Sequence, residues 1–228
     1  MGSLVIGIDS STQSSKAIAW NRKGEIVAEG RYDIPLYNPT LIKFEQNTDD
    51  WWKAFCNSVK YLSKKIDMNE VDGLSISNQR ETLALLDKDG NSIMPAILWM
   101  DKRCLDEVEE LNNLVGKNRI HEITGRPQDP CPCVYSIYWI KKNKPDLFKK
   151  IYCFADVQTF LVHKLSGNFH TGWISSDPHG MFDVVNKKWS QEIIKHLNIS
   201  ENNLPKSFKP GTLIGSVNQR ASEQTGLK

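Results

Sequence analysis

Hydrophobic and polar positions follow two rhythms along this chain. Near the start, Val5-Ile6-Gly7-Ile8 runs without a polar break into Asp9, and a second apolar run, Ala17-Ile18-Ala19-Trp20, follows a polar tip. A short continuous apolar run bounded by turn residues predicts a strand buried on both faces, with the second run as its antiparallel partner. The turn Asn21-Arg22-Lys23-Gly24 leads into residues 25–30 as a third strand, so a three-stranded meander opens the fold. Past the loop holding Pro35 and Pro39 the rhythm changes. Trp52, Phe55, Val59, Leu62 and Ile66 recur at spacings of three and four, the inner stripe of an amphipathic helix. Asp49 and Asp50 after Thr48 suit its positive N-terminal end.

Further along, residues 71–77 and 82–86 predict two strands on either side of the polar stretch Asn78-Gln79-Arg80-Glu81, and Asp87-Lys88-Asp89-Gly90 turns the chain into an apolar run over 93–99. Asp101 stands where an N-cap would for a helix carrying Leu105, Val108, Leu111 and Leu114. Val134, Ile137 and Ile140 mark a helix that ends at Asn143-Lys144-Pro145. Residues 151–155 predict a strand, Asp156 caps a helix through Val157, Phe160, Leu161 and Leu165, and Gly167 stops it. Short elements and a helix over 189–197 follow. The end, from Leu204-Pro205 to Lys228, offers no terminal helix and reads as a linker into something absent.

Composition narrows the class. The 228 residues can bury a substantial core, and 39% hydrophobic with 25% charged residues is ordinary for a globular protein. With 29 basic against 27 acidic residues there is no field to favour nucleic acid or an anionic membrane. The longest apolar stretches are too short to span a bilayer, and Met1-Gly2-Ser3 carries no signal-peptide pattern. Five cysteines, an odd number, predict free thiols in a reducing compartment, hence a cytoplasmic protein. Cys131-Pro132-Cys133 lacks the second pair or histidines that a four-ligand metal site requires.

Two stretches carry candidate chemistry. Between the first two strands lies Asp9-Ser10-Ser11-Thr12-Gln13-Ser14-Ser15-Lys16, a tip of hydroxyls, one amide, one carboxylate and one lysine. Turn N–H groups and hydroxyls bind anions, and a carboxylate at a strand end can hold a hydrated divalent cation, so the tip suits a metal-bound polyphosphate. It also suits an ordinary polar turn, and it is not the Walker pattern. Arg80 is a fork of donors and Glu81 an acceptor, a pair able to bond vicinal hydroxyls; a solvated surface ion pair is the plainer alternative. Asp101 could add a further acceptor.

Six separated stretches, in order, resemble one family. They are Gly7-Ile8-Asp9 with residues 11–17, Phe44-Glu45-Gln46 ahead of Trp51-Trp52, residues 77–82, residues 95–103, Thr124-Gly125, and Leu213-Ile214-Gly215 with Thr225-Gly226-Leu227. Together they resemble the amino-terminal half of the FGGY carbohydrate kinases, of the xylulokinase and glycerol kinase kind, across essentially the whole chain. The resemblance implies an α/β fold, an actin-like, ribonuclease H-like domain with a mixed central sheet flanked by helices. It makes residues 1–228 the sugar-binding, phosphate-hairpin domain of an enzyme whose C-terminal nucleotide domain is absent from this chain. By the same resemblance Ser11, Thr12, Gln13 and Lys16 approach the ATP phosphates and Asp9 the Mg2+. Gln79, Arg80, Glu81, Asp101 and Cys131 line the sugar or polyol site, the general-base aspartate follows Lys228, and, since kinases of this family often self-associate, a homodimer is among the forms the resemblance allows. An isolated half-enzyme of this kind is expected to be inactive, since phosphoryl transfer needs both the cradle and the base.

Departures from the family pattern bear on the substrate. Ser11 stands where the phosphate turn usually has glycine. Arg80-Glu81 and Asp129-Pro130 resemble glycerol kinase, whereas residues 85–87 and 95–101 resemble xylulokinases. Cys131 replaces a substrate-contacting tyrosine of glycerol kinase, and Ser136 a signature lysine. Loss of that aromatic cover favours a ketopentose such as xylulose or ribulose over glycerol. A non-catalytic actin-like module that binds nucleotide or a partner stays open, as does a thiol or metal protein built on Cys131 and Cys133.

Overall fold

Strand β1 (Leu4–Ser10) pairs antiparallel with β2 (Ser14–Asn21), which pairs antiparallel with β3 (Ile26–Asp33), the meander expected from the sequence. The computed structural model describes residues 3–228; Met1 and Gly2, part of the start read above, lie outside the described residues. A short ribbon of β4 (Tyr37–Thr40) and β5 (Lys43–Gln46) precedes helix α1 (Thr48–Ser63), and β6 (Val71–Asn78) then enters the first sheet parallel to β1, giving the order β3-β2-β1-β6. The sheet is therefore mixed.

One face of this sheet is covered. Leu4, Ile6, Ile8 and Ser10 of β1 and Ala17 and Ala19 of β2 are buried on that face, Ile6, Ile8, Ala17 and Ala19 in one core with α1, whereas Val5 is half-exposed and Asp9 exposed. The expectation of a strand buried on both faces is thus corrected: a run such as Val5-Ile6-Gly7-Ile8 cannot by itself separate one-sided from two-sided burial, because only every second side chain faces the helix. Helix α1 buries Trp51, Phe55, Val59 and Leu62, with Trp52 stacked on Phe55 at 5.3 Å, and ends before Ile66. It lies so close to β3 that a Cβ on Gly30 would stand 2.3 Å from the Ser58 carbonyl oxygen.

The remaining chain completes this first core and builds a second. Strands β7 (Ala84–Leu86) and β8 (Ala96–Ile97) are followed by α2 (Leu105–Val115), α3 (Arg119–Thr124), α4 (Cys133–Asn143) and α5 (Pro145–Phe148). Strand β9 (Cys153–Ala155) pairs antiparallel with β7 and runs into α6 (Val157–Ser166), capped by the Asp156 carboxylate, which accepts the Thr159 N–H, and ended by Gly167 in the left-handed region. After β10 (His170–Gly172), α7 (Trp173–Ser176), β11 (Phe182–Asp183), β12 (Lys188–Trp189), α8 (Gln191–Leu197) and β13 (Lys206–Phe208), the chain closes with α9 (Gln219–Thr225).

The β7–β9 ribbon separates the two cores. Ala84, Leu86, Cys153 and Ala155 belong to the core under the first sheet with α1 and α6, while Leu83, Leu85 and Phe154 belong to that of α2, α4 and α8. Period-two alternation thus gives one short ribbon two apolar faces. Two expectations fail here. Asp101 is no N-cap, since α2 begins at Leu105 after Cys104. Likewise the chain does have a terminal helix: Asn218 accepts the Ala221 N–H at its start, Gly226 ends it, and Ala221 and Leu227 are buried against α1 and α6. All five cysteines are unpaired. Among the described residues no helix is long and apolar enough to cross a membrane.

Candidate functional site

Parallel strands β1 and β6 end side by side, so Asp9 lies opposite Ser77 and Ser10 opposite Asn78. Loops beyond the carboxyl ends of parallel strands are where α/β proteins bind ligands. Here those loops are the hydroxyl-rich tip 11–13 and the stretch 79–82. The Gln79 N–H donates to the Ser10 carbonyl at 2.9 Å, and the Ser77 hydroxyl to Asp9 Oδ1 at 2.9 Å, so the two candidate regions of the sequence share one edge.

The tip is braced from behind. The Ser11 N–H and hydroxyl both donate to the Ser14 carbonyl, at 2.9 and 3.0 Å. Among described non-glycine residues positive φ occurs at Glu81, Asn118, Lys187 and Asn198, so the serine at position 11 needs none of glycine's freedom. Gln46, fully buried, is the brace. Its amide donates to the Thr12 carbonyl (2.7 Å) and the Pro35 carbonyl (3.1 Å), and its oxygen accepts from Trp51 Nε1 and Gln79 Nε2, both at 2.8 Å. Gln79 in turn accepts the Thr82 hydroxyl at 3.3 Å. A single carboxamide therefore ties the tip, helix α1 and the 79–82 loop together. Trp99, partly exposed, reaches the Thr12 hydroxyl with its indole N–H at 3.3 Å. Lys16 sits across from Asp9 in the β1–β2 register and pairs with Glu29 at 3.1 Å on the open face of the sheet.

Arg80 and Glu81 form a larger charged ring. Asp177, just after α7, accepts from Arg80 Nη2 at 2.8 Å and is gripped by both arms of Arg126, Nε to Oδ1 at 2.8 Å and Nη2 to Oδ2 at 2.5 Å. Arg126 Nη1 also donates to Glu81 Oε1 at 3.0 Å, and Arg80 donates to the Ile174 carbonyl at 3.3 Å. Glu81 holds a left-handed backbone, φ 48°, which costs a non-glycine residue about 1 kcal/mol and persists only where surrounding contacts fix it. Burial pushes its carboxyl above the ordinary glutamate range, with Arg80 and Arg126 pulling the other way.

Asp101 lies apart from this ring in its chemistry. It is fully buried: Oδ2 accepts from the Phe44 N–H and Arg103 Nη2, and Oδ1 from the Arg103 N–H and Nε. Arg103 also reaches Glu45 at 2.7 Å. The carboxylate expected to meet sugar hydroxyls is instead fully bonded inward, joining the β4–β5 ribbon to the loop before α2. Cys131 is partly exposed; its N–H donates to Asp129 Oδ1 at 2.8 Å, and burial, with Asp129 and Glu81 adding negative charge, pushes its thiol to about 11. Such a thiol is a neutral, weakly polar wall and not a nucleophile.

Gln46, Arg126 and Asp177 are the site residues that sequence reasoning missed. Gln46 stood inside a quoted motif with no role. Arg126, adjacent to the quoted Thr124-Gly125, and Asp177, among the short elements that follow Gly167, act through side-chain partners 45 or more residues away.

Residues 4–228 match the FGGY family of carbohydrate kinases, N-terminal domain. The chain is 30% identical to a xylulose kinase of Staphylococcus xylosus over 225 residues, covering 98% of this chain and 46% of that protein. It is 34% identical over 224 residues to glycerol kinase 2 of Saccharolobus solfataricus, covering 94% and 44%. The ligand-bound xylulose kinase of Lactobacillus acidophilus superposes with a TM-score of 0.93 at 23% identity, over 99% of this chain and 46% of that one, a likeness of fold. The fold is the actin-like one. The chain spans about half the length of the curated relatives it matches.

Proposed function

Because this chain belongs to the FGGY family of carbohydrate kinases, we propose that the native-length protein transfers the γ-phosphoryl group of ATP to a hydroxyl of a sugar or polyol, a ketopentose such as xylulose or ribulose. The observation that carries this reading is the shared edge: one buried amide, Gln46, holds the hydroxyl-rich tip and the Arg80–Glu81 loop in fixed relation. Phosphoryl transfer is chiefly positioning and charge stabilisation, so a rigid relation between phosphate cradle and substrate floor is what the reaction requires.

In this reading Ser11, Thr12 and Gln13 meet the phosphates through N–H and hydroxyl donors, and Lys16 supplies a nearby positive charge. The exposed Asp9 has one oxygen bonded to Ser77, and a single carboxylate beside phosphate oxygens is a donor set that fits hydrated Mg2+. When bound, that ion offsets charge building on the phosphate oxygens. Arg80 donates to, and Glu81 accepts from, neighbouring hydroxyls of the substrate, with Gln79 bracing them and Cys131 as a small wall. The substrate oxygen bonds the γ-phosphorus as its bond to ADP breaks, and the proton passes to an aspartate beyond Lys228.

The test is ADP release by the native-length gene product at saturating Mg-ATP across xylulose, ribulose, glycerol, erythritol and gluconate, with the 228-residue chain alongside. Activity with one ketopentose and none from the chain alone is expected. Turnover with glycerol alone would favour the second reading, which the Arg80-Glu81 pair supports. Tight ATP binding with silence across the panel would overturn both in favour of a non-catalytic module.

A further inference from the structure

Two guanidiniums converging on one carboxylate, one of them through a two-armed fork, is how proteins hold a carboxylate ligand. At this site the carboxylate is the chain's own. Asp177 receives Arg126 at 2.8 and 2.5 Å and Arg80 at 2.8 Å, and Arg126 spends a further donor on Glu81 at 3.0 Å. Within the ring the formal charges of Arg80 and Arg126 are matched by those of Glu81 and Asp177, and all four side chains are only partly exposed, from 17% to 39%. A group entering here meets fixed donors and acceptors but no uncompensated positive charge. The donors best suited to an anion are taken.

We propose that Asp177 is the specificity-determining residue of this site: it occupies the place a substrate carboxylate would take between Arg80 and Arg126, and so restricts the site to uncharged polyhydroxy substrates and excludes aldonates. This rests on the kinase reading for the identity of the site and deepens it by fixing the charge class of the substrate. Arg126 is a positioning residue. It holds Asp177 by one edge and Glu81 by the other, which keeps Glu81 in its left-handed conformation and leaves Glu81 Oε2 and the half-exposed Arg80 to bond a neutral diol.

The experiment measures equilibrium binding of xylitol and of D-gluconate to the native-length protein by calorimetry, with phosphorylation of xylulose and gluconate recorded in parallel. Wild type binds xylitol at least tenfold more tightly than gluconate. Asp177→Asn, which removes the charge and keeps the size, shifts that ratio at least tenfold towards gluconate, and Asp177→Ser does the same should the first variant fold poorly. Asp177→Glu, which restores a carboxylate, restores the exclusion. A loss of fold would weaken both ligands alike and would not move the ratio. Equal or tighter wild-type binding of gluconate, an unchanged ratio in both charge-removing variants, or no binding of either ligand overturns the proposal. A shifted binding ratio in a protein that phosphorylates neither sugar sustains the clamp and removes the kinase reading instead.

Discussion

Replacement of Gln46 by leucine isolates the brace behind the phosphate tip. The two side chains are similar in size, so the change removes polar partners and little volume. Two donors then lose their acceptor in a dry environment: the indole N–H of Trp51, itself fully buried, and an N–H of the nearly buried Gln79. Each orphaned buried donor costs about 1–3 kcal/mol. The carbonyls of Thr12 and Pro35 cost less, because both residues retain access to water. The added apolar group returns roughly 1 kcal/mol. The net loss is therefore about 1–5 kcal/mol, at its midpoint a fall of about 9 °C in melting temperature for a chain of this size. Urea denaturation of the 228-residue chain, followed by tryptophan fluorescence and circular dichroism, measures it. Trp51→Phe removes one of the stranded donors, so the double variant should lose about 1 kcal/mol less than the two single variants together. A Gln46→Leu protein within about 0.5 kcal/mol of wild type, or strict additivity in the double variant, would refute the claim that this amide is the shared tether.

Two further outcomes follow from the geometry. Burial raises the Glu81 carboxyl, so protonation begins above the ordinary glutamate range of about 4.3; KM for the neutral substrate should climb as pH falls through that raised value, and Glu81→Gln should flatten the profile. The sign for stability is the reverse. A carboxyl raised in the folded state favours folding below its unfolded pKa, and that contribution is lost as pH rises through the folded value, so Glu81→Gln should not destabilise the chain at neutral pH in thermal melts. Gly30→Ala should cost about 1–3 kcal/mol in urea denaturation, because the new Cβ would stand 2.3 Å from the backbone oxygen of Ser58 and drive α1 off the sheet; an unchanged midpoint would show that the helix shifts freely.

Local patterns in the sequence located what local forces make. The meander, α1 and the cap and stop of α6 are each written within a few residues, in apolar spacing, in Asp156 and in Gly167. The terminal helix was hidden because Gln219–Thr225 buries only Ala221 and Thr225 and so has no apolar stripe; its legible marks were Asn218 at one end and Gly226 at the other. Asp101 misled because a carboxylate before an apolar helix looks like a cap, while its real partners, Phe44 and Arg103, come from a ribbon 57 residues earlier and from its own loop. The tip and the Arg80-Glu81 pair were visible as chemistry. The brace and the clamp were not, since no spacing rule links Gln46 to Gln79 or Arg126 to Asp177.

The ribbon of β7 and β9 has a thermodynamic consequence. Each of its faces is a wall of a different core, so neither core is complete unless the same few residues are in place for the other. A break that exposes Leu85 and Phe154 also withdraws Leu86 and Ala155 from the opposite side. Loosening cannot be confined to one half, and the two cores should melt as a single cooperative unit, with amide protons on both sides of the ribbon exchanging at one common rate of global opening.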